Sequence, residues 1–168
     1  DISDSESVDA KVAQAISHFG TIDVLVNNAA VAIAGDITDL GDGDWDALLQ
    51  INLMGAVRMI RACLPEMLGR GQGSVINIAS IQGDRSWDHW TAYATAKGGL
   101  QAMTRQLAGQ YGRRGVRFNC ISPGAMNTPM NQRRMETEGP ELYEMYERMH
   151  ALGRIGGPDE LNGAAVFL

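Results

Sequence analysis

The sequence predicts an α/β fold built on a parallel sheet. Short apolar runs at 22–26, 75–79 and 116–121 alternate with longer segments whose apolar residues recur at helical spacing. The first of these runs is almost continuously apolar, as a strand buried on both faces of a parallel sheet should be. Glycine is also in excess, 20 of 168 residues or about 12 % against a usual ~7 %. Such an excess suits tight turns and close backbone approaches, which nucleotide-binding α/β proteins need.

The elements follow in order. Asp4 and Ser5 have the character of a helix cap, and Val8, Val12, Ile16 and Phe19 follow at helical spacing before Gly20 supplies a stop. Ile22–Val26 reads as the first strand, running into Asn27-Asn28 and a Gly/Asp-rich loop to about Gly43. Asp44 to about Leu68 forms one long helical pattern (Trp45, Leu48, Leu49, Leu53, Val57, Ile60, Leu64), with Pro65 expected to kink or end it. Gly69, Gly71 and Gly73 turn into a second strand, Val75–Ala79. A helix over Ala92–Gly112 aligns Leu100, Met103, Leu107 and Tyr111 on one stripe, and a third strand, Val116–Ile121, leads into Ser122-Pro123-Gly124. Residues 125–151 differ in composition, with five of the nine methionines, two tyrosines and many charges, and Pro140–His150 reads as a helix within them. Gly156-Gly157-Pro158 opens a last helix toward Leu168.

Composition excludes several function classes. A net charge of −6 argues against nucleic acid or an anionic membrane surface as the main partner. Charge-free apolar stretches such as Ala47–Val57 are well short of the ~20 residues of a membrane span. The acidic start Asp1-Ile2-Ser3-Asp4 does not read as a signal peptide. Cys63 and Cys120 are isolated and outside any CxxC pattern, so a reduced, cytoplasmic protein is expected. Asp42, Asp44 and Asp46 alternate like a calcium loop, yet Ala47 holds the sixth position and the closing Glu is missing, so a helix cap at Asp44 is the better reading. His18, His89 and His150 lack metal-ligand spacing, and no GxSxG elbow surrounds Ser80 beside Asp88-His89.

The sharpest constellation is Ser80, Tyr93 and Lys97. Tyr93 and Lys97 are four apart in a helical segment and share a face. Ser80 stands just past a buried strand, where open α/β sheets place their ligands. A phenol ordinarily titrates near pH ~10, too high for a base at neutral pH. A nearby ammonium favours the phenolate, which could then take a proton from an alcohol or return one to a carbonyl while hydride moves to or from a nicotinamide.

With these residues the sequence resembles the short-chain dehydrogenase/reductase family. Asn27-Asn28-Ala29-Ala30 is similar to that family's Asn-Asn-Ala-Gly stretch, Asn52 stands where its catalytic asparagine lies in the middle of the next long helix, and Ser80 precedes Tyr93 by the family's 13 residues. Pro123-Gly124 followed by Thr128 resembles its Pro-Gly-x-x-x-Thr turn, and Asp1-Ile2 its Asp-Val pair at the adenine. The resemblance implies a Rossmann-type, doubly wound parallel sheet in three α/β/α layers, a single domain over 1–168 incomplete at both ends, with a substrate lid at 125–151. It implies NAD or NADP as cofactor and a secondary alcohol or ketone as substrate, closest to the sugar-dehydrogenase and 3-oxoacyl-reductase branches.

Roles follow by position. Tyr93 would be the acid/base. Lys97 would hold the nicotinamide ribose and favour the Tyr93 phenolate, Ser80 would bond the reacting oxygen, and Asn52 would hold a water on a proton path from Lys97. Asp1, Ile2, Asn28, Ala29 and Ala30 would line the adenosine side, while Pro123, Gly124, Met126 and Thr128 would serve the carboxamide and pyrophosphate. Gln82 and Trp90 would join Ser80 and Tyr93 at the substrate, with packing an equal claim on Trp87 and Trp90. A homotetramer or homodimer through 44–68 and 92–112 is expected. Two departures stand out. Ala30 replaces a glycine, and no Gly-rich phosphate loop opens a helix, since Gly69–Gly73 precedes a strand. A dinucleotide-binding module without turnover, or a lyase or epimerase using the same tyrosine, are the alternatives.

Overall fold

Asp4 opens the first helix, α1 (Ser5–Phe19), by accepting the Ser7 N–H at 2.9 Å, and Gly20 closes it in the left-handed region. The computed structural model describes residues 1–168, which fold as two compact units, Asp1–Ile121 and Ser122–Leu168. In the first unit three strands, β1 (Val24–Asn27), β2 (Gly73–Ile78) and β3 (Val116–Ile121), lie parallel in the order β1-β2-β3. Val24–Asn27 pairs in register with Ser74–Asn77, and Gly73–Ile78 with Val116–Ile121. Parallel neighbours need crossovers, supplied by α2 (Asp42–Asn52) with α3 (Met54–Arg70), and by α4 (Thr91–Tyr111). The expected α/β class and parallel sheet are therefore present.

The main core lies where Leu25, Val75, Val116 and Phe118 meet Val8 and Val12 of α1 and Ile60, Cys63, Leu64 and Met67 of α3. The predicted stripe on α4 joins it through Met103, Leu107 and Tyr111. A smaller cluster packs Leu48 of α2 on Ala92 and Ala96 at the start of α4, with Tyr93 against it. The burial expected for the first strand holds for one of the four residues of β1. Leu25 is buried, whereas Val24 and Val26 are 54 % and 48 % exposed because strand side chains alternate and these two point to the opposite face.

The long helix breaks at a different place from the one its proline suggests. Pro65 sits inside α3 without ending it, and the interruption falls at Leu53, with φ −121° and ψ −59°. Beside it, the Asn52 amide clamps the backbone of Val31, accepting its N–H and donating to its carbonyl, both at 2.8 Å. The α2–α3 run is long and apolar enough to cross a membrane by length and composition, yet it buries Leu48, Ile60, Cys63 and Met67 in the two clusters. Asp44 does cap α2, but from its third position, accepting the Gly41 N–H at 3.0 Å.

In the unit Ser122–Leu168, the residues before Pro140 hold a helix that the sequence did not signal, α5 (Pro129–Glu138), followed by the expected α6 (Pro140–Met149). A parallel bridge joins Met126 to Gly156. After a 3-10 turn at Pro158–Leu161, the terminal α7 spans Asn162–Phe167. Glu160 ties the turn together, accepting from Arg154 at 2.7 and 2.9 Å and from the Gly157 N–H at 2.6 Å.

Two predictions follow from these contacts. Gly115 has φ +85°, and a Cβ there would stand 1.8 Å from the Gly71 carbonyl oxygen. Gly115→Ala should therefore destabilise the chain by at least about 1–3 kcal/mol in urea unfolding. Arg154, aided by the Gly157 amide, holds the Glu160 carboxyl down at about 2 against an ordinary 4.5. A lowered folded value means the pair supports the turn fully above the unfolded value and loses that support as pH falls toward 2. Carboxyl NMR should place the Glu160 midpoint well below the ordinary value of 4.5.

Candidate active site

The residues singled out by the sequence converge at the carboxyl end of β2 and the first two turns of α4. Ser80 follows β2 and caps a 3-10 turn (Ile81–Gly83), its Oγ accepting the Gln82 N–H at 3.1 Å. Tyr93 lies in the first turn of α4, with Trp90 packed edge-to-face on its ring at 5.4 Å. Trp90 is only 6 % exposed, which makes it a support for the tyrosine ring. One turn on, Lys97 is 3 % exposed, and its Nζ donates to the Ile78 carbonyl at 2.7 Å. The ammonium stands 5.6 Å from the centre of the Tyr93 ring, within cation–π range.

Lys97 has no carboxylate partner. Burial accordingly brings its amine down to about 8, slightly opposed by the Cys120 thiol of β3. Of the three ammonium hydrogens the Ile78 carbonyl takes one, leaving two donors on a cleft lined also by Ile2, Asn28, Ala29 and Asn52. Asn52 is 2 % exposed, with its side chain committed to the loop after β1. Asp1 and Ala30 do not line the cleft. Instead, the Asp1 carboxylate accepts the Ser3 N–H and hydroxyl, each at 2.8 Å. The run Gly69–Gly73 ends a helix and enters β2, so it has no helix N-terminus with which to hold phosphate.

The approach to α4 is shaped by His89, which adopts φ +66°, uncommon for a residue other than glycine. Its ring reaches Asp36 at 2.7 Å and its carbonyl accepts the Gly35 N–H at 2.8 Å, so the two loops flanking the site are tied together. In the second unit, Pro123, Gly124, Met126 and Thr128 form a separate constellation. Thr128 caps α5, and the Met126 carbonyl accepts from the Thr128 N–H and the Asn131 amide. The bridge to Gly156 uses the Ala125 carbonyl and the Asn127 N–H, which turns the Met126 N–H away from it. His150 donates from Nδ1 to the Tyr146 carbonyl and accepts the Ala125 N–H at Nε2, packing against Gly124.

Sequence reasoning missed a polar seam beneath the site. Asn27 donates to Asn77, its partner across the strands, at 2.8 Å, and fully buried Asn77 donates to Thr104 of α4 at 2.9 Å. Gln101 adds bonds to the Ser80 carbonyl and Asp84. The available signal was polar residues at 97, 101 and 104, one helical face, opposite a lone asparagine in an apolar strand.

Comparison with known proteins agrees with this arrangement. A family model described as Enoyl-(Acyl carrier protein) reductase matches residues 1–168. A 3beta-hydroxysteroid dehydrogenase of Eggerthella lenta is 35 % identical over 169 residues, covering 100 % of this chain and 64 % of that protein. The D-threitol dehydrogenase of Mycolicibacterium smegmatis is 37 % identical over 168 residues, with 100 % and 64 % covered. The chain thus spans just under two thirds of the length of these relatives. A crystal structure of a gluconate 5-dehydrogenase from Burkholderia cenocepacia, in complex with NADP and tartrate, superposes with a TM-score of 0.94 at 31 % identity, covering 100 % of this chain and 65 % of that one. Matched from end to end in sequence and in fold, the chain belongs to the short-chain dehydrogenase/reductase family.

Proposed function

We propose that this protein is an oxidoreductase that moves hydride between NAD or NADP and a secondary alcohol or its ketone. The observation that carries the reading is a buried lysine without a carboxylate partner, one helical turn from a tyrosine and facing a cleft with two N–H donors to spare. Two donors side by side fit the hydroxyl pair of a ribose, so the residues suit the nicotinamide end of such a cofactor. When bound, the nicotinamide supplies the hydride donor or acceptor.

The chain's own residues do the rest. The Tyr93 phenol gives its proton to the carbonyl oxygen as the ketone is reduced, and takes one from the hydroxyl in the reverse direction. The Lys97 ammonium beside the ring favours the phenolate left behind. Ser80, with one lone pair engaged by the Gln82 amide, keeps its hydrogen to donate to the reacting oxygen and so orients it. Asn52 serves the path by which the proton is replaced from solvent. Ile2, Asn28 and Ala29 attend the adenosine side. The outward N–H of Met126 meets the carboxamide, with Pro123, Gly124 and Thr128 shaping that turn. Gln82 borders the substrate, and Trp90 holds the tyrosine ring from behind. Copies pair through the helices 44–68 and 92–112, in a homotetramer or homodimer, as the resemblance implies.

Tyr93→Phe keeps the ring packed on Trp90 and deletes the proton. Turnover of a secondary alcohol should fall by about 10²–10⁴-fold, while fluorescence titration with NADH or NADPH is unchanged. Retained turnover sinks the assignment. Lys97 predicts a pH effect of definite sign. With a folded value of about 8 against 10.5, the unfolded chain holds more protons at this site between the two values, so stability rises with pH across that window. Lys97→Met lacks that slope, and urea unfolding at the two ends of the window should show the native chain gaining on the variant.

A further inference from the structure

Tyr93, Lys97 and Gln101 follow one another at intervals of four, so α4 presents them along a single face. Gln101 plays no part in the chemistry proposed above, yet it is 5 % exposed and fully committed. Its Nε2 donates to the Ser80 carbonyl at 3.1 Å and to Asp84 Oδ2 at 3.0 Å. The Ser80 carbonyl also accepts the Gly83 N–H at 3.0 Å, which engages both of its lone pairs. The backbones meet closely around this amide. A Cβ on Gly83 would fall 2.6–2.8 Å from the atoms of the Gln101 amide, and one on Gly98 would stand 3.3 Å from the Gly83 carbonyl. The turn is therefore shaped around a glutamine side chain.

The geometry points to Gln101 as a positioning residue for Ser80, a role that rests on the hydride-transfer reading. The bonds inside the three-residue 3-10 turn, from Gly83 N–H to the Ser80 carbonyl and from the Asp84 and Arg85 N–H groups to the Ile81 carbonyl, shape it but do not tie it to α4. Gln101 supplies what the turn lacks, from the same rigid helix that carries Tyr93 and Lys97. It thereby fixes the distance between the serine hydroxyl and the tyrosine phenol, the separation that a single substrate oxygen must bridge. Asp84, bonded to the same Nε2, holds the side-chain amide in the orientation that points it at the Ser80 carbonyl.

Gln101→Leu keeps the bulk and removes both donors, and Gln101→Lys restores a donor of similar reach. In the 168-residue chain, hydrogen exchange at the Gln82 and Gly83 amides should accelerate by about tenfold or more in the leucine variant, while the β2 amides keep their rates. In the complete protein with its cofactor, kcat should fall by about 10- to 100-fold with KM for the cofactor unchanged. Lysine should restore most of it, and the leucine change should add little to Ser80→Ala. Unchanged exchange at 82–83, a kcat effect fully additive with Ser80→Ala, or no rescue by lysine overturns the proposal. If the leucine variant unfolds, Gln101→Asn, one methylene too short to reach both partners, is read by the same criteria. Retained turnover in Tyr93→Phe defeats the underlying reading, whereas loss there with an unaffected Gln101→Leu defeats the positioning role alone.

Discussion

A buried ammonium with no carboxylate beside it is costly, and the architecture of residues 1–121 is arranged around that cost at Lys97. Its bond to the Ile78 carbonyl joins α4 to the last residue of β2. The same junction sets Tyr93 one turn away and brings Ser80 within two residues of the carbonyl that Lys97 uses. The wider seam follows the same face of the helix, with Gln101 on the Ser80 carbonyl and Thr104 on Asn77. Three successive turns of α4, at Lys97, Gln101 and Thr104, thus carry a polar bond to the end of β2 or to the serine just past it. An apolar helix face could slide by part of a turn at modest expense, but these bonds cannot all re-form in another register. Positional precision at the site therefore comes from the buried polar seam, while the bulk of the stability comes from the clusters around Leu25, Met67 and Phe118.

The second constraint is the break between α2 and α3. A continuous helix would carry Asn52 on a regular surface. The observed break lets its amide clamp Val31 with two bonds beside the cleft that Lys97 also faces. Loop and helix thereby fix one another. The loop after β1 is tied a second time by the Asp36–His89 pair, where the backbone of His89 accepts an unfavourable conformation. Strain at one residue beside a site is tolerable when the surrounding bonds determine the geometry.

Much of this was legible in the residues. Helix starts and stops at Asp4 and Gly20, the three apolar runs and the i, i+4 pairing of Tyr93 with Lys97 depend on local chemistry, and local chemistry is what periodicity and capping record. Pro65 misled because a proline within a helix signals a kink by default, whereas the actual interruption depends on a partner 21 residues away in sequence. Val24 and Val26 misled because apolar character alone does not say which face of a strand finds cover. The helix Pro129–Glu138 went unseen because its residues are largely polar, and its start depends on the Thr128 cap and the proline that follows.

By itself, then, the sequence determined the order of elements, the parallel α/β class and the chemical identity of the tyrosine, lysine and serine, since these follow from spacing along the chain. Only the tertiary structure decided that Lys97 is stripped of water without a counter-charge, that the Asn52 amide is spent on a loop, and that Gln101 and Asn77 stitch the helix to the strand. Those outcomes depend on which groups lose water together. That is settled by contacts between residues far apart in the chain, which no local pattern records.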